Sequence, residues 1–180
     1  VCPVDNTKIM EPYLNLGFLG PQHDDIRAGH AGYGDPNSNN NSFTDAKAVT
    51  VSHGATVNLS GASIDKSSEE DYYSVSVGTT GIMRVVATPV GPSYLNGTQS
   101  GSGCSAGTLI DSEAVGNLAV TIYRQDQSTV VKNNDVFAIG QAENVQFAKL
   151  PVAETYYIKV HASGTSSVQM YDLDISLASE

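Results

Sequence analysis

Apolar and polar residues alternate along four stretches in the second part of the chain, and this period of two constrains the fold more than any other feature. The alternation covers residues 73–77, 118–122, 156–160 and 171–177. Successive side chains of a β-strand point to opposite faces, so the pattern predicts half-buried antiparallel strands. Apolar runs bounded by turn residues add further strand candidates: 46–52, 55–60, 82–88 and 144–149.

An Asn- and Ser-rich stretch, residues 35–45, divides the chain into two parts. Its composition, with Pro36 near its start, is typical of a linker. The part after it, 46–180, holds the strands. About eight short strands without helical spacing predict an all-β fold, an antiparallel β-sandwich of the jelly-roll-like kind. The part before it, 1–34, is too short to build its own core and is predicted to carry one short helix at about 23–32.

The acidic character of the chain excludes several classes of partner. Its 180 residues carry a formal net charge of −10, whereas nucleic acids and anionic membrane surfaces attract Lys and Arg. No stretch approaches the roughly 18 apolar residues that cross a bilayer, so no membrane span is expected. The composition suits a secreted, extracellular protein that can bind divalent cations.

The two cysteines, Cys2 and Cys104, lie far apart in the sequence. They either form one disulfide, as proteins of an oxidising compartment do, or remain two separate thiols. They do not form a C-x-x-C metal motif. Cys104 lies in a Gly- and Ser-rich stretch, 91–116, that is predicted to be a long loop without strands. Such a loop is either functional or a tolerated insertion.

The N-terminal part carries three short motifs in a fixed order. Met10 with Pro12 and Tyr13 comes first, Asp-Asp-Ile follows at 24–26, and Tyr-Gly follows at 33–34. Together they resemble the Met-turn and the two ends of the last helix in a matrixin-type catalytic domain, a branch of the metzincin metalloproteases. The resemblance implies that residues 1–34 are a remnant of such a domain, in which the Met-turn is a structural floor beneath the zinc.

The zinc motif of that family, H-E-x-x-H-x-x-G-x-x-H, occurs nowhere in the 180 residues. No two of the four histidines are four residues apart, as a zinc-binding helix requires. The serine-nucleophile motif G-x-S-x-G is also absent from the sequence. The chain as it stands is therefore predicted to have no catalytic residues, and zinc is expected only in a parent metalloendopeptidase.

The second part of the chain carries five segments whose order and spacing form a pattern of their own. They are 41–46, 69–75, 117–123, 154–160 and 171–177. As a block, residues 41–178 resemble the bacterial pre-peptidase C-terminal (PPC) domain. That domain is a β-sandwich that accompanies many secreted proteases and is related to the collagen-binding modules of clostridial collagenases.

The PPC resemblance also implies a calcium site. Related modules hold Ca²⁺ between the entry linker and the loop before the strand at 69–75, with six to eight oxygen ligands. The two segments offer these oxygen-bearing side chains: Asp35, Asn40, Asn41 and Asp45, and Asp65, Glu69, Glu70 and Asp71. The best match by position, and the predicted calcium site, is Asn40, Asn41, Glu69 and Asp71. The alternative is a solvated acidic loop in which Asn side chains cap turns.

Three tyrosines are candidates for binding a polymer. In each Tyr-Tyr doublet one ring faces outward, which singles out Tyr72 and Tyr157, and Tyr94 lies in the long loop. Outward rings on a sandwich face bind peptide, collagen-like or carbohydrate surfaces. The alternative is that they form cross-strand pairs that stabilise the sheet.

These observations predict the non-catalytic C-terminal portion of a secreted bacterial zinc metalloprotease. Its sandwich would assist secretion, substrate attachment or surface retention, with an upstream catalytic domain and a protein or polysaccharide polymer as partners. One alternative is a free-standing secreted module that binds collagen-like or polysaccharide ligands in a calcium-dependent way. Another is a regulatory pro-segment that associates with a separate protease.

Overall fold

A computed structural model describes residues 2–3, 23–37, 39–65, 68–101, 103–163 and 169–179. One α-helix, α1, spans His23–Tyr33, and a short 3₁₀-helix spans Ser112–Ala114. Strands account for most of the rest. They are β1 (Lys47–Val49), β2 (Thr56–Ile64), β3 (Glu70–Ser76), β4 (Gly81–Pro89), β5 (Tyr94–Asn96), β6 (Gln99–Ser100), β7 (Gly103–Cys104), β8 (Thr108–Ile110), β9 (Asn117–Tyr123), β10 (Val130–Asn134), β11 (Glu143–Leu150), β12 (Thr155–Ser163) and β13 (Gln169–Ala178).

Two sheets face each other and confirm the predicted all-β sandwich. The five-stranded sheet has the order β1-β3-β12-β9-β10, and the four-stranded sheet has the order β11-β4-β13-β2. In the described part of the two sheets, β1 pairs in parallel with β3, and the other neighbouring strands pair antiparallel. The four alternating stretches form the inner strands β3, β9, β12 and β13. Strand β10 carries no alternating pattern, and the sequence did not predict it.

The core lies between the sheets and consists of the inward residues of each alternation. Tyr73, Ile122, Ile158 and Ile175, each from a different strand, are fully buried. Their polar neighbours point to the outer faces, which is why the period of two was a dependable signal.

Helix α1 confirms the short helix predicted in the N-terminal part. It ends at Tyr33. The amide of the next residue, Gly34, donates to the carbonyl of His30 over 2.7 Å, and its φ of +80° suits glycine. The ring of His30 hydrogen-bonds Ser63 of β2 through Nδ1 and Oγ, 2.8 Å apart. The C-terminal turn of α1 therefore contacts the sandwich. The Met-turn residues Met10, Pro12 and Tyr13 lie outside the described residues.

The prediction of a strandless loop at 91–116 was wrong for residues 94–101 and 103–110, which contain four short strands and which we call the arm. The arm contains two short hairpins, β5–β8 and β6–β7. Cys104 in the arm forms a disulfide with Cys2, with Cα atoms 5.3 Å apart. Of the two alternatives that the sequence left open, a disulfide and two separate thiols, the structure has the disulfide. The amide of Gly97 also donates to the carbonyl of Cys2 over 2.8 Å. The arm is thereby attached to the start of the chain.

Among the described residues, no helix has the length and apolar character needed to cross a membrane.

Candidate functional site

Four carboxylates lie close together where the end of α1, the linker and the β2–β3 connection meet. Asp35 lies two residues after the end of α1, Asp65 follows β2, Glu69 precedes β3 and Asp71 lies within β3. Asp35, Asp65 and Asp71 are buried, and Glu69 is half-buried. Buried carboxylates are rare unless something compensates their charge. We call these four residues the acidic cluster.

Asp35 ties the linker to the sandwich. One carboxylate oxygen accepts the amide of Asn37 over 2.6 Å, and the other accepts the amide of Ser63 over 2.5 Å. Burial raises the pKa of the Asp35 carboxyl, and these two amide donors oppose that shift. The Asn37 side chain in turn accepts a hydrogen bond from Lys47 Nζ over 2.5 Å.

Ser63 links Asp65 to the helix. Its hydroxyl donates to Asp65 over 2.5 Å. Because that single proton is used, Nδ1 of His30 must donate to the Ser63 oxygen. The amide of Asp65 donates to Glu69 over 2.6 Å, which closes the β2–β3 connection. The hydrogen-bonded series Asp65–Ser63–His30 thus joins one member of the cluster to α1.

Asp71 is the most deeply buried member of the cluster, with 2% of its surface exposed. The hydroxyl of Tyr171 on β13 donates to it, and the hydroxyls of Tyr171 and Tyr73 lie 2.8 Å apart. Burial raises the pKa of Asp71 to about 8. The negative charges of Asp35, Glu69 and Asp65 push in the same direction, and the Tyr171 bond opposes them. Asp71 therefore holds its proton at neutral pH unless a cation compensates the charge.

The predicted calcium ligands lie in this region but not all on one surface. Asn41 and Glu69 line a cavity of about 180 Å³ together with Asp65 and His30. Asn40 and Asp71 are buried and are not among the residues that line it. The backbone carbonyl of Asn40 accepts a hydrogen bond from the amide of Tyr72 over 2.7 Å. Its side-chain Nδ2 is buried and has no hydrogen-bond partner among the residues that the structure describes.

The donor set fits calcium in its chemistry, since it consists of hard oxygens with an excess of negative charge. Among the described residues, however, no three His, Cys, Asp or Glu side chains converge on a common point. Binding an ion would require side chains such as Glu69 and Asn41, on the cavity wall, to change rotamer.

Two other acidic residues that the sequence offered have different partners. Asp45 accepts the Ser42 hydroxyl over 2.7 Å within the linker. Glu70 accepts Lys159 Nζ over 2.9 Å and the Tyr72 hydroxyl over 2.6 Å, on the outer face of the five-stranded sheet. The contributions of His30, Ser63 and Tyr171 were missed, because their contacts join residues far apart in sequence.

The predicted polymer-binding tyrosines are only partly brought together. The ring of Phe43 packs on Tyr72, Tyr123 and Tyr157, with centroids 4.5, 5.3 and 5.3 Å away. Tyr72 does face outward, but under Phe43 only 7% of its surface is exposed, so a ligand cannot stack on it. Tyr157 remains half-buried beside it. Tyr94 lies apart, on β5 of the arm.

Two of the solved structures to which the chain is similar are the following. One is the pre-peptidase C-terminal domain of a collagenase from Bacillus anthracis, at 10% identity and a TM-score of 0.43, covering 73% of this chain and 93% of that one. The other is PliG of Aeromonas hydrophila, a periplasmic inhibitor of g-type lysozyme, at 16% identity and a TM-score of 0.39, covering 73% of this chain and 98% of that one. No protein-family model and no curated protein matches the chain. At these identities and TM-scores neither likeness assigns a family.

Proposed function

We propose that this chain is the non-catalytic C-terminal portion of a secreted bacterial zinc metalloprotease. Its sandwich assists secretion, substrate attachment or surface retention, and a calcium ion bound at the acidic cluster stabilises it. The observation that carries the proposal is the position of the cluster at the junction of three segments. Hydrogen bonds of Asp35 and His30 to Ser63 connect helix α1 and the residue segment after it to the sandwich.

The electrostatics of the junction favour a divalent cation. The pKa of Asp71 is raised because burial and three neighbouring carboxylates disfavour a negative charge on its side chain. A bound Ca²⁺ would supply the missing positive charge. The residues that would hold it are Asn41, Glu69 and Asp71, with Asn40 beside them. When bound, the ion would also fix the linker against the β2–β3 connection.

A calcium titration tests the site. Because a ligand that binds only the folded state stabilises it, Ca²⁺ at about 100 times its dissociation constant should add about 2.7 kcal/mol to the free energy of unfolding. Thermal unfolding of the full chain in Ca²⁺ and in chelator measures this. Glu69→Gln should reduce the shift, whereas Asp174→Asn, on the outer face of the four-stranded sheet, should not. Equal melting temperatures in Ca²⁺ and chelator would rule the site out.

The coding DNA upstream of Val1 tests the parent enzyme. An H-E-x-x-H-x-x-G-x-x-H motif in frame shortly before Val1 is the expected result, and the purified chain should then hydrolyse no peptide. A signal peptide placed directly before Val1 would instead favour the free-standing calcium-dependent binding module. Chelator-sensitive proteolysis by the 180-residue chain would contradict both.

A further inference from the structure

Phe147 occupies an unusual position on strand β11. The pairing of β11 with β4 shifts register between Val145 and Ala148, so that two residues of β11 lie opposite one residue of β4. At this bulge Phe147 has a φ of +56°, a conformation that bulky residues rarely adopt. Its side chain is 71% exposed. A strained backbone therefore presents a large apolar ring to solvent.

The bulge is what turns the ring outward. Val145 faces the core, so strict alternation would bury Phe147 and expose Ala148. The extra residue instead buries Ala148, at 1% exposure, and leaves Phe147 outside. Backbone strain without compensating packing persists mostly where function requires it. The exposed ring therefore suggests a role in binding.

A groove of about 280 Å³ lies beside the ring on the outer face of the four-stranded sheet. Phe147, Ile82 and Ala178 contribute apolar surface to the groove. Arg84 of β4 also lines it. The volume accommodates one apolar side chain and a small polar group, and is at the lower end of ligand-binding cavities.

No acidic side chain of the described residues forms an ion pair with Arg84 in this groove. Opposite it on β13 stands Ser176. The carboxylate two residues away, Asp174, accepts the Asn58 side chain over 2.9 Å instead. The Arg84 guanidinium is exposed, has no acidic partner in the described part of the chain and lies beside apolar surface, so it is complementary to a carboxylate attached to an apolar group.

We propose that this groove binds the C-terminal end of a peptide chain. The last, apolar side chain packs against Phe147 and Ile82, and the free α-carboxylate accepts hydrogen bonds from the Arg84 guanidinium. Hydrolysis of a peptide bond is the class of reaction that generates such ends. The site is separate from the acidic cluster and does not depend on the proposed calcium ion.

Binding of two small probes to the full chain tests the proposal. The probes are acetyl-Ala-Leu with a free carboxylate and the same dipeptide as its C-terminal amide. We expect the acid to shift backbone NMR resonances around Ile82, Arg84 and Phe147. The amide should bind at least about tenfold more weakly, because it cannot form the charge-assisted pair. No binding, or equal binding of acid and amide, would overturn the proposal.

Variants separate binding from folding. Phe147→Gly removes the ring and also suits the positive φ, so it should abolish binding without lowering the melting temperature. Arg84→Gln should bring the ratio of the two binding affinities, for the acid probe and for the amide probe, close to one. The matched controls are Phe137→Ala, an exposed ring in the β10–β11 loop, and Lys132→Gln, an exposed cation on β10. Both should bind the acid as the native chain does.

Two outcomes would contradict the peptide-end site even if probes bind. Undiminished binding by Phe147→Gly would place the probe elsewhere. The second outcome is self-association of the chain, measured by sedimentation. If Phe147→Gly abolishes it and an excess of the acid probe does not reverse it, the groove is a contact between two copies of the chain.

Discussion

Among single residues, Asp71 links the folding of the chain to pH most directly. Its side chain extends from β3, accepts a hydrogen bond from the hydroxyl of Tyr171 and is almost fully buried. Its pKa is raised to about 8 by burial and by neighbouring carboxylates. The unfolded chain, where the pKa is near 3.8, gives up that proton at much lower pH. The folded state thus binds one proton more than the unfolded state over a wide range.

Stability in the absence of divalent cations should therefore fall as pH rises from about 4 to about 8. Below that range both states hold the proton, and above it neither does. Within it, Asp71 contributes a slope of up to about 1.4 kcal/mol per pH unit. Thermal unfolding in chelator across this range measures the slope. Asp71→Asn should flatten it, and Asp174→Asn should not. An unchanged slope in Asp71→Asn would show that other groups cause the dependence.

At the scale of elements, the arm depends on a contact distant in sequence. Its hairpins are only two or three residue pairs long, which is too short for independent stability in water. The Cys2–Cys104 disulfide closes a sequence separation of 102 residues and joins the arm to the start of the chain. Gly107, at φ +78°, allows the close approach, since a Cβ there would lie 2.7 Å from the ring of Pro3.

Removing the disulfide should destabilise the whole chain. The double variant Cys2→Ser/Cys104→Ser should lose about 2–5 kcal/mol of unfolding free energy, because a long loop in the unfolded state is no longer closed. Chemical denaturation measures the loss. Hydrogen exchange should increase most in β6 and β7. A variant as stable as the native chain would show that the hairpins and the sandwich hold without the crosslink.

For the whole molecule, stability should be concentrated between the two sheets. Ile158 is fully buried on β12, between β3 and β9 in the five-stranded sheet. Ile158→Ala should cost about 2–5 kcal/mol, because it removes apolar contacts and leaves a cavity. Val152→Ala, at a site 38% exposed, should change stability by about 0.5 kcal/mol or less. If denaturant unfolding showed equal losses of stability for the two variants, stability would not be concentrated between the sheets.

The alternating strands show how much of the fold could be predicted from the sequence. Strands β3, β9, β12 and β13 follow directly from a period of two, because each residue's face is a local property of the backbone. The helix predicted at about 23–32, found at His23–Tyr33, was also recognisable from the local sequence. Phe147 shows the limit of this reasoning, since a single extra residue at the bulge reverses the face that alternation assigns.

The sequence by itself determined the faces of the four alternating strands and supplied the candidate carboxylates, because both depend on residues close together in the chain. Only the tertiary structure decided which of those side chains meet. It brought Tyr171 to Asp71, joined Ser63 to Asp35 and His30, and placed Phe43 over Tyr72. These contacts depend on strand order and register. The packing of the whole core sets both, and no local pattern encodes them.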